Sequence, residues 1–185
     1  VAPAWSADGQ FIAYASNQGS SVLKIWRMRA DGGERTQITN GNEEDCDPSW
    51  HPDGQRIAFS RKVALGNRNI FVTTLANVWT ELTSTPGEER FPEFSPDGTQ
   101  LAFSSERAFD IQAPHGHVVS ALFRKDTNPI RIETPINLTA NLGVNIRKGG
   151  AAPAWSPSGN RIVIFNSEGV LITSEQRLVR LSTNG

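Results

Sequence analysis

A single cysteine, Cys46, leaves the chain unable to build an internal disulfide framework, and one methionine leaves it little to oxidise. Both scarcities suit an oxidising space such as a periplasm, and an extracytoplasmic location is the expectation. Long hydrophobic runs are missing as well: no stretch approaches the ~20 apolar residues that a membrane-spanning helix needs. No signal-peptide pattern opens the chain, and with Val1 where an initiator Met would stand, a processed or trimmed product is expected. Neither sign of charge is in excess. Eighteen Lys and Arg stand against 19 Asp and Glu, a net charge of −1, which gives no electrostatic case for nucleic acid or an anionic membrane. The sequence has no G-x-S-x-G elbow, no glycine-rich phosphate loop and no dense basic run. What remains is 185 residues, 37% hydrophobic and 20% charged, the composition of one globular domain.

That domain is built from a repeat. Pro3-Ala4-Trp5-Ser6-Ala7-Asp8-Gly9 returns as Pro48-Ser49-Trp50-His51-Pro52-Asp53-Gly54. It returns again as Pro92-Glu93-Phe94-Ser95-Pro96-Asp97-Gly98 and as Pro153-Ala154-Trp155-Ser156-Pro157-Ser158-Gly159. The copies stand 45, 44 and 61 residues apart, so the third unit carries an insertion of about 16 residues over a ~45-residue period. Each copy is followed by an apolar strand: Phe11 to Tyr14, Ile57 to Phe59, Leu101 to Phe103, Ile162 to Phe165. A second run follows, at Leu23 to Trp26, Ile70 to Val72, Val118 to Phe123 and Val170 to Ile172. Every unit closes on a polar–aliphatic–hydroxyl triplet: Gln37-Ile38-Thr39, Glu81-Leu82-Thr83, Asn137-Leu138-Thr139 and Arg180-Leu181-Ser182. Short strands separated by Gly, Pro, Asn and Asp predict an all-β protein of four-stranded antiparallel blades.

The signature's chemistry is structural. Proline presets φ for the first corner of a turn, the Asp side chain bonds nearby backbone N–H groups, and Gly takes the positive φ. The aromatic residues at 5, 50, 94 and 155 are expected to wedge between neighbouring blades. The pattern P-x-[WF]-S-P-D-G-x-x-[IL]-A-[FY] resembles the TolB-type propeller repeat, a relative of the WD repeat, over essentially the whole chain. That resemblance implies a single β-propeller domain over 1–185, with blades about 1–47, 48–91, 92–152 and 153–185. Propellers of this type usually have six or seven blades. Four blades make either a closed four-blade ring or an arc of a larger propeller, completed in one case by another chain. No strand is held over to share a blade between the two ends, so a closed ring would rest on side-chain packing.

In a four-stranded meander the first-to-second and third-to-fourth turns share one face, here the hairpin face. The second-to-third turns and the interblade links share the other, the link face. The link face is expected to collect 16–22, 40–47, 61–68, 84–91, 105–117 and 140–152, the longest and most varied loops. Partner contacts are therefore expected there, at Glu43, Glu44, Asp45, Glu88, Glu89, Arg90, His115, His117, Arg147 and Lys148, by electrostatic complementarity. The same charges also read as solvated loop tips. The long third unit is the leading segment for such contacts.

Catalytic and metal chemistry find little support. His115-Gly116-His117 resembles a ligand pair, but His51 sits in a signature turn on the opposite face, where its siblings are Ser6, Ser95 and Ser156. The histidine-rich metal centre of the propeller lyases is not reproduced. A weaker metal site from His115, His117, Cys46 and an acidic loop residue is geometrically conceivable, and Cys46 with a histidine could form a dyad in principle, but a lone link-loop cysteine is usually incidental. Asp31-Gly32-Gly33 reads as a tight hairpin, and the Asn137 sequon is explained by the closing triplet. No cofactor and no catalytic residue are expected. The expected function is that of a non-catalytic, protein-binding or scaffolding propeller in an envelope assembly. The alternatives are the gating propeller of a prolyl-oligopeptidase-like or tricorn-like hydrolase, and a small-ligand or sugar-binding propeller.

Overall fold

The computed structural model describes residues 3–63, 66–106, 117–139, 152–166, 169–174 and 177–180. They form four antiparallel sheets, one per sequence repeat, each an ordered meander. Blade one holds β1 (Ala4–Trp5), β2 (Phe11–Ser16), β3 (Lys24–Arg29) and β4 (Thr36–Gln37). Blade two holds β5 (Asp45–Trp50), β6 (Arg56–Lys62), β7 (Arg68–Thr74) and β8 (Trp79–Glu81). Blade three holds β9 (Glu89–Phe94), β10 (Gln100–Ser105) and β11 (His117–Arg124), with its fourth position divided between β12 (Arg131–Ile132) and β13 (Ile136–Asn137). Blade four holds β14 (Pro153–Trp155), β15 (Ile162–Asn166), β16 (Gly169–Ser174) and β17 (Arg177–Arg180). Among the described residues no helix is long and apolar enough to cross a membrane.

The signature turns form as their residues dictate. In blade one the Gly9 amide donates to the Ser6 carbonyl at 2.9 Å, and Gly9 sits at φ +68°, where a side chain would be strained. The Asp8 carboxylate accepts from Ser6 Oγ at 2.5 Å and from the Gln10 amide at 3.0 Å. Blade three repeats this with Ser95, Asp97 and Thr99. His51 substitutes for the serine in blade two: its Nδ1 lies 3.1 Å from the Asp53 amide.

The core lies between blades, because strand alternation sends successive side chains to opposite faces. Between blades one and two, Ala13, Ile25 and Ile38 meet Trp50, Ile57, Phe59 and Phe71. Between two and three, Ala58, Ile70 and Val72 meet Phe94, Leu101, Phe103, Val119 and Phe123, with Leu82 against them. Between three and four, Ala102 and Val118 meet Ile162 and Ile164. Each Val, Ile, Leu or Phe fully buried there contributes roughly 1.5–3 kcal/mol. The closing triplet has a double task. Its aliphatic member packs into the interblade core, and its threonine ties the third strand: Thr39 Oγ1 accepts from the Ile25 amide and Thr83 Oγ1 from the Ile70 amide, both at 2.9 Å.

Blade two is buried on both faces, so β6 from Ile57 to Arg61 is wholly inside. Blade one is covered on one face only. Of β2, Ala13 alone is fully buried, whereas Ile12, Tyr14 and, on β3, Trp26 stay partly exposed. These occupy the positions of Ile57, Phe59 and Phe71 in blade two. The expectation of four wedging aromatics is therefore corrected for Trp5. Trp50 and Phe94 are buried and Trp155 donates its Nε1 to the Glu93 carbonyl at 3.0 Å, but Trp5 is 57% exposed. No described blade stands on that side to receive it.

Several expected link residues are strand residues. Asp45, Glu89, Arg90 and His117 lie on β5, β9 and β11, and Arg61 and Arg68 on β6 and β7. Their polarity made them look like loop. Their side chains instead pair across strands inside the fold.

Candidate functional site

The first strand of every blade faces a common axis, and Trp5, Asp47, Trp50, Phe91, Glu93 and Pro153 line a cavity of about 330 Å³ there. The strands bend to make it. Asp47 and Phe91 take φ of +52° and +54°, each just before a proline, and each lies at a break in strand register with the neighbouring strand. A left-handed non-glycine residue is strained, and a bulge of this kind re-aims a side chain. It turns the Asp47 carboxylate to Ser60 Oγ at 2.6 Å and to Arg90, with Nε at 3.1 Å and Nη2 at 3.3 Å. Glu93 is partly buried at the same cavity. Burial pushes its carboxyl above the usual range, opposed by a hydrogen bond with Ser49.

From Asp47 an alternating line of charge runs across the link face. Arg90 Nε lies 4.0 Å from Glu88, Arg68 Nε lies 3.6 Å from the same Glu88 oxygen, and Arg68 Nη2 pairs closely with Glu44. The Arg68 guanidinium holds the Glu44 carboxyl below its ordinary value. Cys46 lies beneath this line, its thiol 3.4 Å from Glu44 and pushed up to about 11 chiefly by burial. Partly exposed Glu44, Glu88 and Arg90 are thus assembled in one line, which meets the axial cavity at Asp47.

The remaining expected residues separate. Glu43 is exposed in the link between blades one and two. Asp45 is fully buried: it receives Arg61 in a bidentate pair at 2.7 and 2.9 Å, with Lys24 of blade one 3.7 Å away. Glu89, its counterpart in blade three, is likewise buried, accepting from Thr85 Oγ1 at 2.8 Å and Ser105 Oγ at 3.2 Å. His117 is buried on β11 with Nδ1 3.3 Å from Thr139 Oγ1. It occupies the strand position of Lys24 and Asn69, all three opposite the end of the second strand. Asp45, Glu89 and His117 are therefore not loop tips; they serve the junctions between strands and blades. His115, Arg147 and Lys148, with most of the long third-unit links, lie outside the described residues.

The strained Asp47 and Phe91 and the axial carboxyl Glu93 were not singled out in the sequence. The signal that could have found Asp47 and Phe91 is the place just before a signature proline, and for Glu93 the place just after it, both beside the axis.

The model of the TolB β-propeller domain matches residues 1–128. The Tol-Pal system protein TolB of Francisella tularensis subsp. holarctica is 35% identical over 75 residues, covering 40% of this chain and 17% of that protein. The uncharacterized peptidase YuxL of Bacillus subtilis is 33% identical over 64 residues, 35% of this chain and 9% of that protein. The four blades superimpose on TolB from Acinetobacter baumannii with a TM-score of 0.72 at 22% identity, covering 94% of this chain and 40% of that one. The tricorn protease gives a TM-score of 0.59 at 12% identity, over 94% of this chain and 25% of that one. At such identities the likeness to solved structures is one of fold, and the chain spans only a fraction of each of these proteins.

Proposed function

This chain belongs to the TolB β-propeller domain family, and from that membership we propose that it is a non-catalytic, protein-binding arc of a larger propeller working in the periplasm or another extracytoplasmic space. Its partner belongs to an assembly of the Tol-Pal kind, the system named for the Francisella relative. The observation that carries this reading is the line of alternating charge from Glu44 to Asp47, partly exposed at Glu44, Glu88 and Arg90, braced across two blades and ending at an axial cavity. A braced, mixed-sign line selects a protein surface of complementary pattern and suppresses wrong ones.

An arc accounts for the open face of blade one. Trp5, Ile12, Tyr14 and Trp26 repeat the set that blade two buries against blade one, so a further blade is the neighbour whose shape fits them.

The test is titration of the chain with the Tol and Pal components of the same organism, by calorimetry, for wild type and for Arg90→Glu. Binding that weakens at least tenfold in the variant, and falls with added salt, supports the reading. No binding of either component removes it. One observation favours a second reading, a propeller that gates a peptidase: the match to YuxL. A G-x-S-x-G segment elsewhere in the full-length gene would decide for it.

A further inference from the structure

Away from the axis, a second cavity of about 540 Å³ opens on the link face between blades one and two, lined by Asn40, Asn42, Glu43, Arg61, Lys62, Phe71, Trp79 and Glu81. Its size is that of a small-ligand site. The wall is an indole: Trp79 is 47% exposed, with its ring 5.7 Å from that of the buried Phe71. The fold does not call for this tryptophan. The same place before the closing triplet holds Arg35 in blade one and Pro135 in blade three.

The indole is held in position. The Arg61 guanidinium lies 4.9 Å from the Trp79 ring centroid and 5.3 Å from that of Phe71. Asp45 fixes the guanidinium from below through Nε and Nη2, with Lys24 behind it. Nε and Nη2 are taken by Asp45, and Arg61 lines the cavity with the rest of its guanidinium edge. A buried ion pair thus sets a platform whose orienting cost is already met before any ligand arrives.

The rim carries both kinds of hydrogen-bonding group. Asn40 and Asn42 offer amides, Glu43 and Glu81 offer acceptors, and Lys62 adds a donor beside Arg61. Two carboxylates against two cations leave the lining balanced, so it does not select a charged ligand. A ligand matched to a flat aromatic wall, a balanced charge and a mixed set of donors and acceptors has a C–H-rich face and many hydroxyls. The positively polarised C–H face of a pyranose packs on the negative face of an indole.

We propose that this cleft binds a neutral saccharide, its sugar ring stacked on Trp79 and its hydroxyls held by the Asn, Glu, Lys and Arg side chains around it. The site is separate from that line of charge and does not depend on the protein-binding reading.

The test is titration of the full chain with chitotetraose, cellotetraose and maltotetraose, and with a tetragalacturonate as the anionic comparison, followed by tryptophan fluorescence and calorimetry. Saturable binding of a neutral oligosaccharide is expected. Trp79→Ala loses at least tenfold in affinity, as truncation of an aromatic anchor does. Asn42→Ala weakens binding without touching the fold, and Trp5→Ala, on the open face of blade one, leaves it unchanged. Binding confined to the anionic sugar and abolished by salt overturns the proposal. So does an unaltered affinity in Trp79→Ala, or no binding of any of the four.

Discussion

His51 Nε2 lies 3.2 Å from the carbonyl oxygen of Gly98, tying the signature turn of blade two to that of blade three. A carbonyl can only accept, so Nε2 carries a proton, and Nδ1 lies 3.1 Å from the Asp53 amide and 2.9 Å from the Asp53 carboxylate. The ring also packs edge-on against Phe94, with centroids 4.9 Å apart, and tilted against Phe123 at 5.5 Å. A histidine in a serine's slot thus fastens the neighbouring blade.

The close approach makes Gly98 unlike its siblings. A Cβ at Gly98 would stand 2.6 Å from His51 Nε2, whereas one at Gly54 would meet nothing within 4 Å. Both sit at positive φ, so Gly54→Ala costs about 1–2 kcal/mol. Gly98→Ala adds an overpacking penalty of about 1–3 kcal/mol, because the imidazole is wedged between two phenylalanines. Chemical denaturation should show Gly98→Ala as the less stable, and adding His51→Ser should recover part of the difference.

The same histidine gives stability a pH dependence. Burial holds His51 below its ordinary value of 6.5, against the opposing pull of the Asp53 carboxylate. A lowered base binds its proton more weakly folded than unfolded. The contribution is therefore fully present above pH 6.5 and is lost as pH falls from there toward the folded value. Urea midpoints measured from pH 7.5 down to 5 should decline in wild type, and more shallowly in His51→Ser.

Arg61→Met leaves the buried Asp45 carboxylate with Lys24, 3.7 Å away, as its one remaining cation among the described residues. Breaking a buried pair from one side costs about 3–5 kcal/mol. Thermal unfolding should show a large drop, and Asp45→Asn combined with Arg61→Met should be more stable than Arg61→Met alone. If the single variant unfolds like wild type, the triad is not a structural joint.

Cys46 is buried with its thiol pushed up to about 11. At pH 8 about one thiol in a thousand is ionised. Colourimetric thiol titration of the native chain should be slow, and become fast on adding denaturant. Fast native labelling would mean that the first strand of blade two opens readily.

The repeat was legible because each blade must solve the same turn and the same packing problem. Pro, Asp and Gly at fixed offsets write the turn, and the alternating apolar residues after it write a strand with two faces to cover. The closing threonine could be read as a repeat, although its bond to the third strand could not. Less of the candidate site was legible. Glu44, Glu88 and Arg90 were drawn from their charge and do come together in one line of ion pairs. Asp45, Glu89 and His117 were drawn on the same ground and are buried. Charge alone does not distinguish a solvated carboxylate from one that faces an arginine across a strand pair. Asp45 has Arg61 opposite, 16 residues on, and that pairing exists only once β5 and β6 are in register.

Local chemistry, written residue by residue, determines the blade, its turns and its two apolar faces, since each depends on neighbours within a single ~45-residue unit. Tertiary structure alone decides what lies between units. It aims Asp47 at Arg90, seats His51 on Gly98 and gathers Trp79, Arg61 and Glu43 around one cleft. Those contacts join side chains from different strands and blades, whose distance is set by how the sheets stack and not by their spacing along the chain. It also separates the buried Trp50 from the exposed Trp5, two residues at the same place in the repeat. The difference between them is whether another blade stands alongside.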